Sequence, residues 1–209
     1  MSKLKMNTRD KILDQSLKMF NERGIEYVGL RELAAILDIR VGNISYYFPT
    51  KDDLVYELSQ ELSKSNAMLL RETESLTMIE FLEILHQVLL NHVKFRCLLL
   101  SVVHLLQQNK HLAAAYKKTQ SVRNSTIRSN LEVLENSGYL KIEDDEQMEF
   151  LVSNLSLISR FWISEAAISF RQMSEADQIR YYLKHVVQLF SPYATTKGRK
   201  EMELFLQNL

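Results

Sequence analysis

Apolar residues recur along this chain at spacings of three and four, and a period of two is hard to find. The longer rhythm lines one side of a helix, whereas a half-buried strand would alternate. The first segment places Ile12, Leu13, Ser16, Leu17 and Phe20 on one inward face. Thr8 is its expected N-cap, Asp10 sits near the positive end of its dipole, and Gly24 ends it. After Gly29 a second stripe holds Leu30, Leu33, Ala34 and Leu37. Asp38, Ile39 and Arg40 then form a turn, and a third helix runs from Val41 to Phe48, ended by Pro49. Thr50 caps a fourth helix, with Asp53 at the capping-box position, and Leu54, Leu58 and Leu62 carry it towards Glu72.

The same periodicity continues beyond a bend near Ser75–Thr77. Thr77 with Glu80 opens a helix to Val93, and another spans Phe95 to Gln108. A long one covers Leu112 to Asn136 and stops before Gly138. Asp144 or Asp145 starts a helix to Gln172, and Ser174 with Asp177 opens one that ends before Pro192. Thr196 to Leu209 forms a last amphipathic helix, with Met202, Phe205, Leu206 and Leu209 on its stripe. The pattern predicts an all-α protein of two domains, 1–54 and 55–209, with the fourth helix, from residue 51, linking them.

Composition agrees with this picture and narrows the chemistry. The 209 residues are 46% apolar, enough for a sizeable core, with only 5 Gly and 2 Pro. Net charge is zero, yet residues 1–51 carry 9 Lys/Arg against 6 Asp/Glu, and the remainder carries 17 against 20. That is the sign expected if the N-terminal part meets phosphate. Cys97 is the sole cysteine, so no intrachain disulfide can form; it reads as a buried small hydrophobe, with a reactive thiol as the alternative. The start, MSKLKMNTRDK, has no apolar leader core, and Ser101, His104, Arg160 and Glu165 break the apolar runs too early for a membrane span. A cytoplasmic protein without a membrane partner is expected.

Two short helices joined by a tight turn across Leu30–Lys51 have the layout of a helix-turn-helix, whose second helix enters the DNA major groove. Base reading falls to the front of that helix, here Arg40, Val41, Gly42 and Asn43. Gly42 permits close backbone approach, Asn43 suits an adenine edge and Val41 a thymine methyl. Tyr46, Tyr47 and Lys51 lie at the far end, where phosphate contacts are expected; Tyr47 is also placed to pack the small core. Ile44 and Phe48 belong to that core.

The order Thr8-Arg9, Ile12-Leu13, Leu17, Phe20, Gly24, Arg31-Glu32-Leu33-Ala34, Ile39, Gly42-Asn43-Ile44, Tyr46-Tyr47-Phe48, Lys51 and Leu54 resembles the tetracycline-repressor (TetR) family of bacterial transcription regulators. Beyond this region only length and helicity match. The resemblance implies that Arg31 lies near a base, with a solvated surface charge as the alternative. It implies a C-terminal ligand-binding and dimerisation domain, a double-stranded operator, and a homodimer through helices at 147–172 and 175–191. It also implies an unidentified small-molecule effector whose binding releases DNA. Phe95, His104, Tyr116, Phe161 and Trp162 are candidate lining residues of a mainly apolar pocket, each equally at home in an ordinary core. The chain departs from the family pattern at four positions. Gly29 and Arg40 replace capping hydroxyls, Asp38 stands where the turn usually has Gly, and Ser45 takes the place of a phosphate-gripping tyrosine.

Two other readings remain. Glu83 and His86 form a Glu-x-x-His pair, half of a di-iron site, but no second pair exists. With no phosphate-cradling loop, nucleophile elbow or cysteine pair, no catalytic residue, metal or cofactor is assigned and an enzyme is not expected. A helical adaptor that uses the helix-turn-helix for protein contacts is the other alternative.

Overall fold

The computed structural model describes residues 7–209; residues 1–6, which carry part of the N-terminal charge and of the leader reading, lie outside it. The chain forms helices α1 (Thr8–Arg23), α2 (Leu30–Ile36), α3 (Val41–Tyr47), α4 (Lys51–Leu69), α5 (Met78–Lys94), α6 (Arg96–Leu100), α7 (Val102–Gln108), α8 (Lys110–Asn136), α9 (Asp145–Ser169), α10 (Glu175–Phe190) and α11 (Thr196–Gln207). No strand occurs among the described residues, and one isolated bridge joins Leu140 to Ala194.

Local signals set most boundaries. Thr50 and Asp53 exchange the expected capping-box bonds, with Thr50 N to Asp53 Oδ2 at 2.9 Å and Asp53 N to Thr50 Oγ1 at 3.2 Å. Thr77 and Glu80 do the same at 2.8 and 3.2 Å. Ser174 Oγ accepts from Asp177 N at 3.1 Å, as its spacing predicts. Three details differ from expectation. The cap of α1 is Asn7, whose Oδ1 accepts from Asp10 N at 2.9 Å, so Thr8 is already helical. The expected helix at 95–108 is two, α6 and α7, interrupted at Ser101, whose ψ of 7° departs from helical geometry. Finally, α9 ends at Ser169 rather than Gln172, because Phe170 leaves the helical region at φ −129°.

Contact density groups the chain into two compact units. The first joins residues up to Ser63 with Phe95–Ala114; the second joins Lys64–Lys94 with Ala115–Leu209. The divisions therefore fall inside α4, between α5 and α6, and inside α8. In the first unit α1 packs on α2, α3 and α6. Ile12, Phe20, Leu33, Ala34, Ile44, Phe48, Leu54 and Leu58 are its buried core. Asn21 Oδ1 accepts from Cys97 N at 3.0 Å. Cys97 itself is buried, and burial pushes its thiol up to about 12, so it behaves as the small hydrophobe expected.

In the second unit α5 packs against α9, α10 and α11. Phe81 meets Phe190 edge-on at 5.7 Å. On α11, Met202 and Phe205 are buried and Leu206 is half-buried, as is Leu209 just beyond its end, so the predicted stripe faces inward. Gly198 makes this docking possible, since a Cβ there would sit 2.2 Å from the Tyr139 carbonyl oxygen.

A polar group lies inside this unit. Trp162 Nε1 donates to His92 Nδ1 at 3.2 Å. Indole only donates, so Nδ1 accepts and the imidazole proton sits on Nε2. The Asn66 carboxamide lies 3.2 Å from Nε2 and 3.0 Å from the Asn91 amide; accepting that proton takes its oxygen end, with the Asn91 amide turned in step so that its oxygen accepts from Asn66. Burial, helped by the charge of Arg123, holds His92 down at about 3 from its usual 6.5. The unfolded chain takes up a proton below about 6.5 that the folded chain refuses, so this stability is full above that pH and is lost towards pH 3. Denaturant titrations should show wild-type stability falling in that window by up to about 1.4 kcal/mol per pH unit more steeply than His92→Gln. Equal slopes would mean that folded His92 is protonated.

Candidate nucleic-acid interface

The α2–α3 turn is built on a left-handed residue. Asp38 has φ 51°, the only positive φ among described residues other than glycine. Ile39 N bonds to Ala34 O at 3.0 Å and Asp38 N to Ala35 O at 3.2 Å, the paired bonds of a Schellman motif. Asp tolerates this conformation better than most residues, which is why the turn keeps its shape without Gly. Neither Gly29 nor Arg40 makes a side-chain cap, and both stand at helix N-caps with extended backbone.

The seven residues of α3 divide sharply. Ile44 is buried, as is Phe48 just beyond the helix, while Val41, Gly42, Asn43, Tyr46 and Tyr47 are exposed and Ser45 is half-buried. Tyr46 is 80% exposed and meets Tyr47 edge-on at 5.0 Å. Tyr47 is 40% exposed and tilts onto Phe48 at 6.4 Å, so it touches the core while part of it stays in solvent. Arg31 and Arg40 are exposed, and neither pairs with a carboxylate among the described residues. Arg23, by contrast, is paired with Glu32. A Cβ at Gly42 would meet nothing within 4 Å, so the protein's own packing does not require glycine there.

Lys51 has a structural use that its position in the sequence did not disclose. Its Nζ donates to the carbonyls of Ile25 at 2.9 Å, Val28 at 3.3 Å and Glu26 at 3.4 Å. It thereby ties the start of α4 to the α1–α2 loop, and the phosphate contact expected of it has to compete with those three carbonyls. Arg9 and Glu57 were also missed as a brace. Arg9 pairs with Glu57 and lies over the Phe48 ring at 5.4 Å, joining α1, α4 and the end of α3. The residues are 48 apart in sequence, a separation no local spacing rule detects.

The five candidate effector residues do not share a unit. Phe95, buried, and His104, exposed on α7, belong to the first unit. Tyr116, Phe161 and Trp162 belong to the second. Glu83 and His86 lie 3.8 Å apart, and no group of three metal-binding side chains occurs among the described residues. No described helix is long and apolar enough to cross a membrane.

A short exposed helix on a compact three-helix base, preceded by a tight turn, is the geometry of a helix-turn-helix DNA-binding protein. Comparison with known proteins makes the class specific. Residues 12–58 match the family described as bacterial regulatory proteins, tetR family, and residues 60–202 match TetR, described as bacterial transcriptional repressor. The chain belongs to the TetR family and is a DNA-binding transcriptional regulator. Neither matching family is a catalytic one. Over 58 residues it is 38% identical to the probable HTH-type transcriptional regulator YttP of Bacillus subtilis (strain 168), a match spanning 28% of each protein. A TetR-family transcriptional regulator from Marinobacter aquaeolei VT8 shares the fold with TM-score 0.89, at 24% identity over 97% of this chain and 98% of that one. GusR of Salmonella enterica follows with TM-score 0.63, at 18% identity over 90% and 100%.

Lys51→Met keeps the aliphatic stem and removes the three carbonyl contacts. It should lower unfolding stability by about 1–3 kcal/mol and leave the salt slope of DNA binding unchanged. A slope reduced by about one, with unchanged stability, would show that Lys51 holds a phosphate instead.

Proposed function

We propose that this regulator is a ligand-responsive repressor that binds a two-fold operator as a homodimer and leaves it when a small molecule binds the C-terminal domain, 55–209. The observation that carries the DNA-facing part is the exposed front of α3 together with two unpaired arginines. Arg31 and Arg40 supply the cationic contacts, and Asn43 and Val41 read base edges. Gly42, with open space where a Cβ would stand, lets the DNA approach the backbone. Ser45, Tyr46 and Tyr47 face phosphate. Lys51 positions the loop beneath them. Such a protein acts where the bacterial chromosome is, in the cytoplasm.

The dimer reading rests on α9. One side of this helix buries Leu151, Leu155, Trp162, Ile163 and Ala166, while the other exposes Phe150, Leu157 and Ile168 at 49, 55 and 75%. An apolar row on both sides of one helix is what a partner helix would cover. A single head reads only a few base pairs, so two heads related by a two-fold axis supply the missing specificity.

Selection from random duplexes should yield an inverted repeat. On that sequence Arg31→Ala or Asn43→Ala should each cost about 1–3 kcal/mol and relax one base position. Equal losses on random DNA would remove the base-reading role. Sedimentation should give a dimer at micromolar concentration, and Leu157→Glu with Ile168→Glu should give a monomer that still melts cooperatively; a wild-type monomer would refute the dimer.

A further inference from the structure

The second unit contains two half-buried arginines that converge on one tyrosine. Tyr116 and Arg123 stand seven residues apart on one face of α8, and Arg160 comes from α9. Arg160 Nε donates to the Tyr116 hydroxyl oxygen at 2.8 Å. The two guanidinium carbons lie 5.9 Å (Arg123) and 5.8 Å (Arg160) from the Tyr116 ring centroid, and Arg160 lies 5.8 Å from that of Phe161. Neither arginine pairs with a carboxylate among the described residues, whereas Arg128, on the same helix, pairs with both Asp145 and Glu149. Two like charges are thus held around one ring with no carboxylate paired to either among the described residues.

Unmet hydrogen bonds mark the same face. Arg123 Nε is buried and has no partner. Asn130, two turns further along α8, is 0% exposed, and both its amide nitrogen and its oxygen are unpartnered. A buried donor or acceptor left unmade costs about 1–3 kcal/mol, so a chain that keeps three such atoms on one helix face is arranged to receive something polar. The neighbouring His92, held neutral and already bonded through both ring nitrogens, is not available to serve it.

We propose that Tyr116, Arg123 and Arg160 form the anion-binding end of the effector site, and that the effector is a small organic carboxylate. The proposal rests on the ligand-responsive reading above and names the chemical class of that ligand. The open Nε edge of Arg123 offers a two-point fork to one carboxylate. Arg160 keeps its terminal nitrogens, and the Tyr116 hydroxyl, already accepting from Arg160, keeps its own hydrogen to donate. A neutral alcohol or ketone has too few lone pairs to satisfy this set, and a cation is repelled by it. Phe161 provides an apolar surface beside the charge, and a ligand extending about 10 Å along α8 reaches the turn that carries Asn130. The mainly apolar pocket expected from sequence is thereby revised to an amphiphilic one with a cationic end.

The test uses the full chain with benzoate and octanoate, each against its amide, read by calorimetric titration, thermal melting and release of the selected operator duplex. At least one carboxylate should bind, raise the melting temperature and release DNA, while its amide does not. Arg123→Met and Arg160→Met should each weaken that binding at least tenfold. Unliganded DNA affinity and cooperative melting should persist in both variants, which shows that they fold. Amides acting as strongly as the acids, carboxylates binding both variants as well as wild type, or no binding by either acid would each overturn the proposal. Release of the operator by a protein-free cell extract would in that last case leave the sensing reading standing, and no release by the extract would remove that as well.

Discussion

Helices of seven residues are not stable alone in water, because the first turn costs more order than its few hydrogen bonds return. Both helices of the DNA-facing motif, α2 and α3, are that short. Their existence therefore depends on what lies beneath them. Leu33, Ala34, Ile44 and Phe48 are buried, and burial of each large apolar side chain is worth about 1.5–3 kcal/mol. The turn between the helices is closed by the paired bonds around Asp38. Lys51 holds the preceding loop, and the Arg9–Glu57 pair braces α1 to α4. Val41, Gly42 and Asn43, on the outer face of α3, stay exposed and take no part in that core.

The second unit shows two treatments of buried polarity. Around His92 every ring nitrogen has a partner, and Trp162, Asn66 and Asn91 fix which nitrogen holds the proton. Such a satisfied network specifies one packing of α4, α5 and α9 within that unit. Around Arg123 and Asn130 the opposite holds, since polar atoms are buried without partners. Arg128, on the same helix, pairs with both Asp145 and Glu149. The contrast on a single helix is between polar atoms that the fold satisfies and polar atoms that it leaves without partners among the described residues.

Local interactions were readable from the chain. The capping pairs Thr50/Asp53, Thr77/Glu80 and Ser174/Asp177 lie three residues apart, so spacing alone announces them. The inward stripe of α1 and the left-handed turn at Asp38 were legible for the same reason. The cap at Asn7 was misplaced by one residue because Asn and Thr both cap well and stand side by side. The break at Ser101 carries neither Gly nor Pro, so no local signal separated α6 from α7.

The sequence by itself determined the helical class, the helix-turn-helix and the family, because each is written in short-range periodicity and in a motif of about fifty adjacent positions. Tertiary structure decided which of the polar residues serve the fold and which remain free. Lys51, read from the sequence as a phosphate contact, is also held by three loop carbonyls. Phe95 and His104 fall in one compact unit, and Tyr116, Phe161 and Trp162 in the other. Arg123 and Arg160 carried no signal in the sequence, since their meaning lies in a convergence of α8 and α9 on Tyr116. Partnership between residues distant in the chain is a property of packing, and a linear pattern holds no record of it.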